Sequence, residues 1–316
     1  MNCRVLWPGT WIGLLVLGAL ACSPKDPSED LPGGDVLIPD SRQWTAESET
    51  SGRTYQVQVS LPREYDALTT AYQVVYLLDA NGQFGMTTEI VRNLTYFDED
   101  SPGLIVVGVG YPVGQFFNAL GARGLDLTPN RDTVWEASET ESLPEAGPYL
   151  TGGAREFLGF LTNELIPRVE SEFRVDSSTR TLIGHSLGGL FALYAMLEAP
   201  ALFQQYVVIS PSMWWDCMED SMVCRRDTSA PDGWLLRREA ALSASGGSLT
   251  GRLFLTVGDE ESPIMIEGSR RLAARLEERG YQGLDWTFEF VPGEWHMSIV
   301  PGAISSGLRW LHFGAH

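Results

Sequence analysis

Ser186 stands in the run Gly184-His185-Ser186-Leu187-Gly188-Gly189, a G-x-S-x-G pattern with a hydroxyl at its centre. The pattern alone is common. Here an apolar, β-prone stretch precedes it and an Ala/Leu-rich helical stretch, Leu190 to Glu198, follows. A serine between a strand and a helix sits on a sharp, strained turn that lifts its hydroxyl above a sheet. Flanking glycines let neighbouring chain pass without Cβ clashes. The helix N-terminus favours negative charge, and the Leu187 amide can point at a developing oxyanion. Nucleophilic attack on a carbonyl is the chemistry such a serine performs. The plainer alternative is a glycine-rich β–α turn with Ser186 as a helix N-cap.

A serine nucleophile needs a base, and on this kind of turn the partners follow in chain order as Ser, acid, His. The histidines are His185, His296, His312 and His316. His185 lies inside the turn and is expected to face away from the serine. His312 falls on the last helix and His316 is the final residue. His296, in Pro292-Gly-Glu-Trp-His296-Met-Ser, occupies a loop between the last strand and the last helix, where a general base belongs. The acid is expected in Gly258-Asp259-Glu260-Glu261-Ser262-Pro263, after the strand Leu253–Val257. A carboxylate there can accept from imidazole Nδ1 and stabilise the imidazolium. Asp259, Glu260 and Glu261 all qualify on sequence grounds. The second oxyanion donor is expected in the loop beginning Asp79-Ala80-Asn81-Gly82, from the amide of Ala80 or Asn81.

The elements that position these residues read as a hairpin followed by repeated β–α units. Two strand-like pieces flank Ser51-Gly52, the second alternating with period two from Tyr55 to Leu61. Residues 73–78 and 104–109 are near-continuous apolar runs, as strands buried on both faces are. Residues 87–96 read as a helix between them. Residues 111–149 read as a long polar insertion too irregular for core. Helices are expected over 153–172, 190–198, 234–244, 268–279 and 299–313, with strands at 206–209, 253–257 and 286–291. The order predicts an α/β fold: one open, mostly parallel sheet with helices on both faces and no second domain.

The chain has 316 residues and a formal net charge of -19, with Lys25 the only lysine among its basic residues. Such a charge argues against nucleic acid or an anionic membrane surface as a partner. The first residues resemble an export signal: Arg4, an apolar core from Trp11 to Ala21, then Cys22. The core is too short to span a bilayer comfortably. Residues 1–21 are expected to be a lipoprotein-type signal, Cys22 the lipidated mature N-terminus, 22–41 a Pro/Gly/Asp/Ser-rich tether, and 42–316 the folded domain. An ordinary signal peptide cut near Ala21 is the alternative. The expected location is the cell envelope of a bacterium, the outer membrane favoured, with membrane contact only through the anchor. Cys217 and Cys224 suit a local disulfide in an oxidising compartment. No metal site is expected, since no second Cys/His pair with ligand spacing follows.

Together these pieces resemble the putative esterase family of α/β hydrolases, which includes esterase D-like enzymes and bacterial siderophore trilactone esterases. The resemblance covers roughly residues 50–312. Its carriers are Val75-Tyr-Leu-Leu-Asp79, Ile105-Val-Val-Gly-Val-Gly-Tyr-Pro112, Arg123-Gly-Leu-Asp-Leu-Thr-Pro129, Gly184 to Gly189, and Ile209-Ser-Pro-Ser-Met-Trp-Trp215. It implies the α/β-hydrolase fold and hydrolysis of a small-molecule carboxylic ester, siderophore-type trilactones included, without a cofactor. It maps the family's acid, the last carboxylate of a Gly-x-x-Glu pattern, onto Glu261, with Asp259 the second choice; some relatives work with a Ser–His dyad. The family often has glycine where this chain has Ala80, a change that keeps an amide donor. Arg123 and Asp126 resemble a pair on the substrate side, or a salt bridge ordering the loop. Trp214 and Trp215 are candidate pocket walls, or core aromatics at a strand end. Acyl transfer to an alcohol, and cleavage of feruloyl or acetyl esters on polysaccharide, share this machinery. A non-catalytic binding lipoprotein on the same scaffold is the rival of another class.

Overall fold

The computed structural model describes residues 37–63, 65–96, 103–112, 116–142, 144, 148–217 and 231–313. The chain divides into two units, Met1–Leu37 and Ile38–His316. The signal and Cys22 lie outside the described residues, as does Cys224, while residues 38–41, expected as the end of the tether, belong to the folded unit, with Ser41 opening the first strand; Cys217 is disulfide-bonded.

Among the described residues eight strands form one sheet in the order β1-β2-β4-β3-β5-β6-β7-β8. They are β1 (Ser41–Glu47), β2 (Thr54–Ser60), β3 (Tyr72–Leu77), β4 (Leu104–Gly110), β5 (Val175–His185), β6 (Gln205–Ile209), β7 (Thr250–Gly258) and β8 (Gly283–Val291). β1 and β2 form the expected antiparallel hairpin, and β2 pairs antiparallel with β4. Every pairing from β4 through β3 to β8 is parallel.

The apolar runs of the central strands are explained by two covered faces. On β3 and at the residue that follows it, Val74, Tyr76 and Leu78 enter the larger core, while Val75 and Leu77 enter the smaller one. Tyr206 and Val208 of β6 face the first, Val207 and Ile209 the second. Successive strand residues point to opposite faces, so a strand buried on both sides shows no polar alternation. The larger core is closed by helices that include Ala154–Phe160, Leu187–Glu198 and Pro263–Arg279, the smaller by Ala80–Thr95 and Ile299–Leu308.

Three sequence expectations are corrected. The first crossover helix spans Ala80–Thr95 and starts after two residues that follow the strand, seven residues earlier than expected; Asn81-Gly82, expected in a loop, lie in its first turn. Asn81 uses its side chain to clamp the next strand end, accepting from Tyr111 N–H at 2.8 Å and donating to Tyr111 C=O at 2.7 Å. The helix before the last strand also starts earlier, at Pro263, a residue suited to the first helical position. Residues 111–149 are not a solvated insertion: helices Phe116–Leu127 and Thr133–Ser142 lie within them. Asp126, Leu127, Trp135 and Tyr149 are buried. Its acids and glycines hid this packing, because several of the polar groups are buried in pairs. Among the described residues no helix is long and apolar enough to cross a membrane.

Candidate active site

Because β3 to β8 run parallel, their C-terminal ends open on one edge of the sheet, where ligands of open α/β sheets bind. Five described non-glycine residues have positive φ, and Asp79 (53°), Ser186 (60°) and Ser210 (44°) follow β3, β5 and β6. Left-handed backbone costs a non-glycine residue free energy, and such strain clusters at functional sites.

Ser186 sits between β5 and the helix Leu187–Glu198 with φ 60° and ψ -118°. Its N–H donates to Ile209 C=O at 3.0 Å, and its C=O accepts from Leu190 N–H at 3.0 Å and Ser212 N–H at 3.1 Å. These bonds hold the strained turn in place. Gly184 makes the turn possible, since a Cβ there would meet Gly188 O at 2.1 Å.

The loop after β7 places Glu261 just before the N-cap Ser262 of the helix Pro263–Arg279, a position where helix dipoles favour an anion. Glu261 Oε2 lies 2.8 Å from Nδ1 of His296, with side-chain exposures of 1% and 34%. A carboxylate on Nδ1 selects the tautomer with Nδ1–H and leaves Nε2 as the acceptor. Glu261 Oε1 accepts from the Ser210 hydroxyl. Gly258 lets the His296 loop approach, because a Cβ there would meet Glu294 O at 2.0 Å.

Of the three competing carboxylates, the structure brings Glu261 to His296. Asp259 is turned instead to the loop backbone, accepting from Gly293 N–H at 2.6 Å. Glu260 is exposed, and its N–H donates to Glu294 C=O at 3.1 Å. Asp259 thus corrects the second-choice acid: it shapes the loop that carries the histidine. Among the described residues no hydrogen bond joins Ser186 Oγ to the His296 ring, whose bond is to Glu261.

Leu187 and Ala80 are each the first residue of a helix, so their amides have no intrahelical acceptor. The two helix starts are close, for a Cβ on Gly188 would touch Asp79 Oδ2 at 3.2 Å. Asp79 in turn holds Arg123 in a bidentate pair at 2.8 and 2.9 Å. Burial works against the Arg123 charge, and Asp79 more than offsets it, so the guanidinium stays charged. Asp126 does not pair with Arg123. It is fully buried against Arg53, with the Tyr55 hydroxyl at 3.3 Å. Burial raises its pKa to about 6, and Arg53 and the tyrosines pull the other way. The Arg123–Asp126 pair of the sequence reading is therefore two separate ion pairs.

Trp214 and Trp215 are also relocated. Both are buried, packed with Trp135 at 5.1 and 5.7 Å between ring centroids. Trp215 Nε1 donates to Asn130 at 3.1 Å and Trp214 Nε1 to Met265 Sδ at 3.2 Å. They belong to the core beneath the site, because the turn after β6 folds inward.

The sequence reading sets His185 aside as facing away from Ser186 and does not connect it to His296. Its ring lies 4.5 Å from that of His296, and it is buried. Burial first, then the neighbouring His296, push its pKa down to about 3, so the ring is neutral. Its position inside the motif could have raised it as a candidate; its contact with a residue over a hundred positions away could not be read. Ser210 was missed too, since one buried serine in a strand-end run carries no periodic signal. Among the described residues no group of three or more His, Cys, Asp or Glu is placed to hold a metal ion.

Comparison with known proteins follows the same line. The model of the family described as "Putative esterase" matches residues 48–300. The ferri-bacillibactin esterase BesA of Bacillus subtilis is 29% identical over 282 residues, 89% of this chain and 90% of that protein. The BES protein of Bacillus cereus has a crystal structure that superposes with a TM-score of 0.72 at 32% identity, covering 89% of this chain and 98% of that one. The siderophore hydrolase EstA of Aspergillus nidulans gives a TM-score of 0.68 at 27% identity, over 92% and 97%. With its parallel sheet, its strand-end site and a family match over most of its length, this chain belongs to the putative esterase family and is an ester hydrolase of the α/β-hydrolase fold.

Proposed function

We propose that the protein is a serine esterase acting on siderophore-type esters, with Ser186 as nucleophile, His296 as general base and Glu261 as the orienting acid. The observation that carries this reading is the 2.8 Å bond between Glu261 and His296 Nδ1, together with a serine held at φ 60° on the strand-to-helix turn. Ser186 Oγ attacks the ester carbonyl carbon while His296 Nε2 takes its proton. The Leu187 and Ala80 amides receive the oxyanion. Collapse expels the alcohol, to which His296 returns the proton, and leaves an acyl-enzyme. Water, deprotonated by His296, then releases the acid and frees Ser186.

The siderophore assignment rests on relatives named for bacillibactin, enterobactin and fusarinine esters. A screen of residues 38–316 against a catecholate trilactone, a feruloyl ester and short p-nitrophenyl esters tests it. Preference for the trilactone by kcat/KM supports the reading; preference for the feruloyl ester overturns it. A fluorophosphonate should phosphonylate Ser186 Oγ with loss of fluoride and the hydroxyl proton, and an unlabelled Ser186 in inactivated enzyme rejects the mechanism. We further propose export and anchoring through a lipid on Cys22, with Cys22→Ser abolishing membrane fractionation. A wild-type protein found soluble with an unmodified N-terminus rejects the anchor.

A further inference from the structure

We infer that Ser210 is a positioning residue for the ester hydrolysis, holding Glu261 so that its other oxygen meets His296. The inference rests on the assignment of Ser186, His296 and Glu261 proposed above. Ser210 is fully buried and directly follows β6. Its φ of 44° is one that a non-glycine residue adopts at a cost. The strained backbone aims the hydroxyl at Glu261 Oε1, while Oε2 is spent on His296 Nδ1. Both oxygens of a buried carboxylate are thereby occupied by donors on opposite sides. Without the hydroxyl, Oε1 would be buried and unpaired, and the carboxylate would lose what stops it turning about its terminal torsion.

The same turn also holds the nucleophile. Ile209 C=O accepts from Ser186 N–H at 3.0 Å, and Ser212 N–H donates to Ser186 C=O at 3.1 Å. Ser210 N–H is tied at 2.8 Å to Thr256 C=O of β7, the strand that leads to Glu261. Residues 209–212 thus register the serine against the acid–base pair from within one four-residue turn. A serine here is otherwise hard to explain: glycine would take the positive φ without strain, and it would lack the hydroxyl.

The test uses Ser210→Gly and Ser210→Ala, alone and combined with Glu261→Gln. Glycine tolerates the backbone angle, so Ser210→Gly removes the hydroxyl with the least threat to folding; circular dichroism and Tm report on that threat. A hydrogen bond to a charged group converts to roughly 10- to 100-fold in rate. The expected result is a kcat loss of that size with KM nearly unchanged. Removing a donor from the carboxylate makes the Glu261–His296 pair more basic, so the acid limb of kcat/KM against pH should move upward. Ser210→Cys, a weaker donor of similar size, should fall between. In the Glu261→Gln background Ser210→Gly should add little, because the effect passes through the carboxylate. A folded Ser210→Gly enzyme with wild-type kcat and pH profile, beside an impaired Glu261→Gln, overturns this inference alone. An undiminished loss in the Glu261→Gln background also overturns it. A fully active Glu261→Gln enzyme overturns it together with the acid, leaving the Ser186–His296 reading in place.

Discussion

The two halves of the site's edge are held by different kinds of charge. Beyond β5, β6, β7 and β8 the side chains that meet are Ser210, Glu261 and His296, joined by a chain of hydrogen bonds through one carboxylate. Beyond β3 and β4 the side chains that meet are Asp79 with Arg123 and Asp126 with Arg53, two ion pairs whose guanidinium members stay charged at any working pH. The half proposed for chemistry carries the histidine that must change protonation. The half that frames it is held by guanidinium charges that do not. A mutation in the first should appear in kcat, and one in the second should appear in stability.

The largest expected effect is on the chemical side. Ser186→Ala should lower ester turnover by between ~10⁴- and ~10⁶-fold with little change in Tm, because only binding and the oxyanion donors remain. Single-turnover hydrolysis and thermal melting check both parts; near wild-type turnover would end the assignment. Next comes the acid. Glu261→Gln should cost roughly 10³- to 10⁴-fold in kcat with KM nearly unchanged, through a lost imidazolium partner and the wrong tautomer. Glu260→Gln should be close to silent, as substitutions of solvated carboxylates are. If Glu261→Gln and Asp259→Asn both keep most activity, a Ser186–His296 dyad becomes the better description.

On the framing side, Arg123→Met leaves Asp79 without its partner. It should cost about 3 kcal/mol in denaturant unfolding, the lower end for a broken buried pair, since these side chains keep 19% and 16% exposure. The comparison predicts that this loss exceeds the stability loss of Glu261→Gln. The reverse order would break it.

The smallest effect concerns His185, which lies against the chemical half but is kept neutral. Its folded pKa is about 3 against an ordinary 6.5. A histidine with a depressed pKa contributes stability that is present above 6.5 and lost as pH falls toward 3. Between pH 7 and pH 5 the loss is about 2 kcal/mol. Unfolding of the wild type and His185→Gln at both pH values should show that difference in slope. His312, also depressed, is common to both proteins and cancels. Equal slopes would mean that His185 is not held neutral.

Much of this was legible before any coordinates. The apolar runs at 73–78 and 104–109 read as strands buried on both faces because each has a covered core on either side. The strand-to-helix turn at Ser186 was legible because such a turn needs small neighbours at fixed spacing, and the candidacy of His296 because so few histidines compete. What was not legible shares one cause. The 111–149 segment looked solvated because buried Asp126 and Glu136 are, in sequence, indistinguishable from surface acids; their partners Arg53, Arg131 and Thr151 make the difference.

By itself, then, the sequence determined the sheet-and-helix order, the serine turn and a short list of partners, since local periodicity and backbone strain are properties of neighbouring residues. Only the tertiary structure decided that Glu261 rather than Asp259 meets His296, that Ser210 fills the carboxylate's other side, that Arg123 turns to Asp79, and that Trp214 and Trp215 go inward. Each of those choices is a side-chain contact across at least 35 residues or a burial set by distant elements, and a hydrogen bond of about 3 Å depends on where the fold brings two strand ends, which spacing along the chain does not encode.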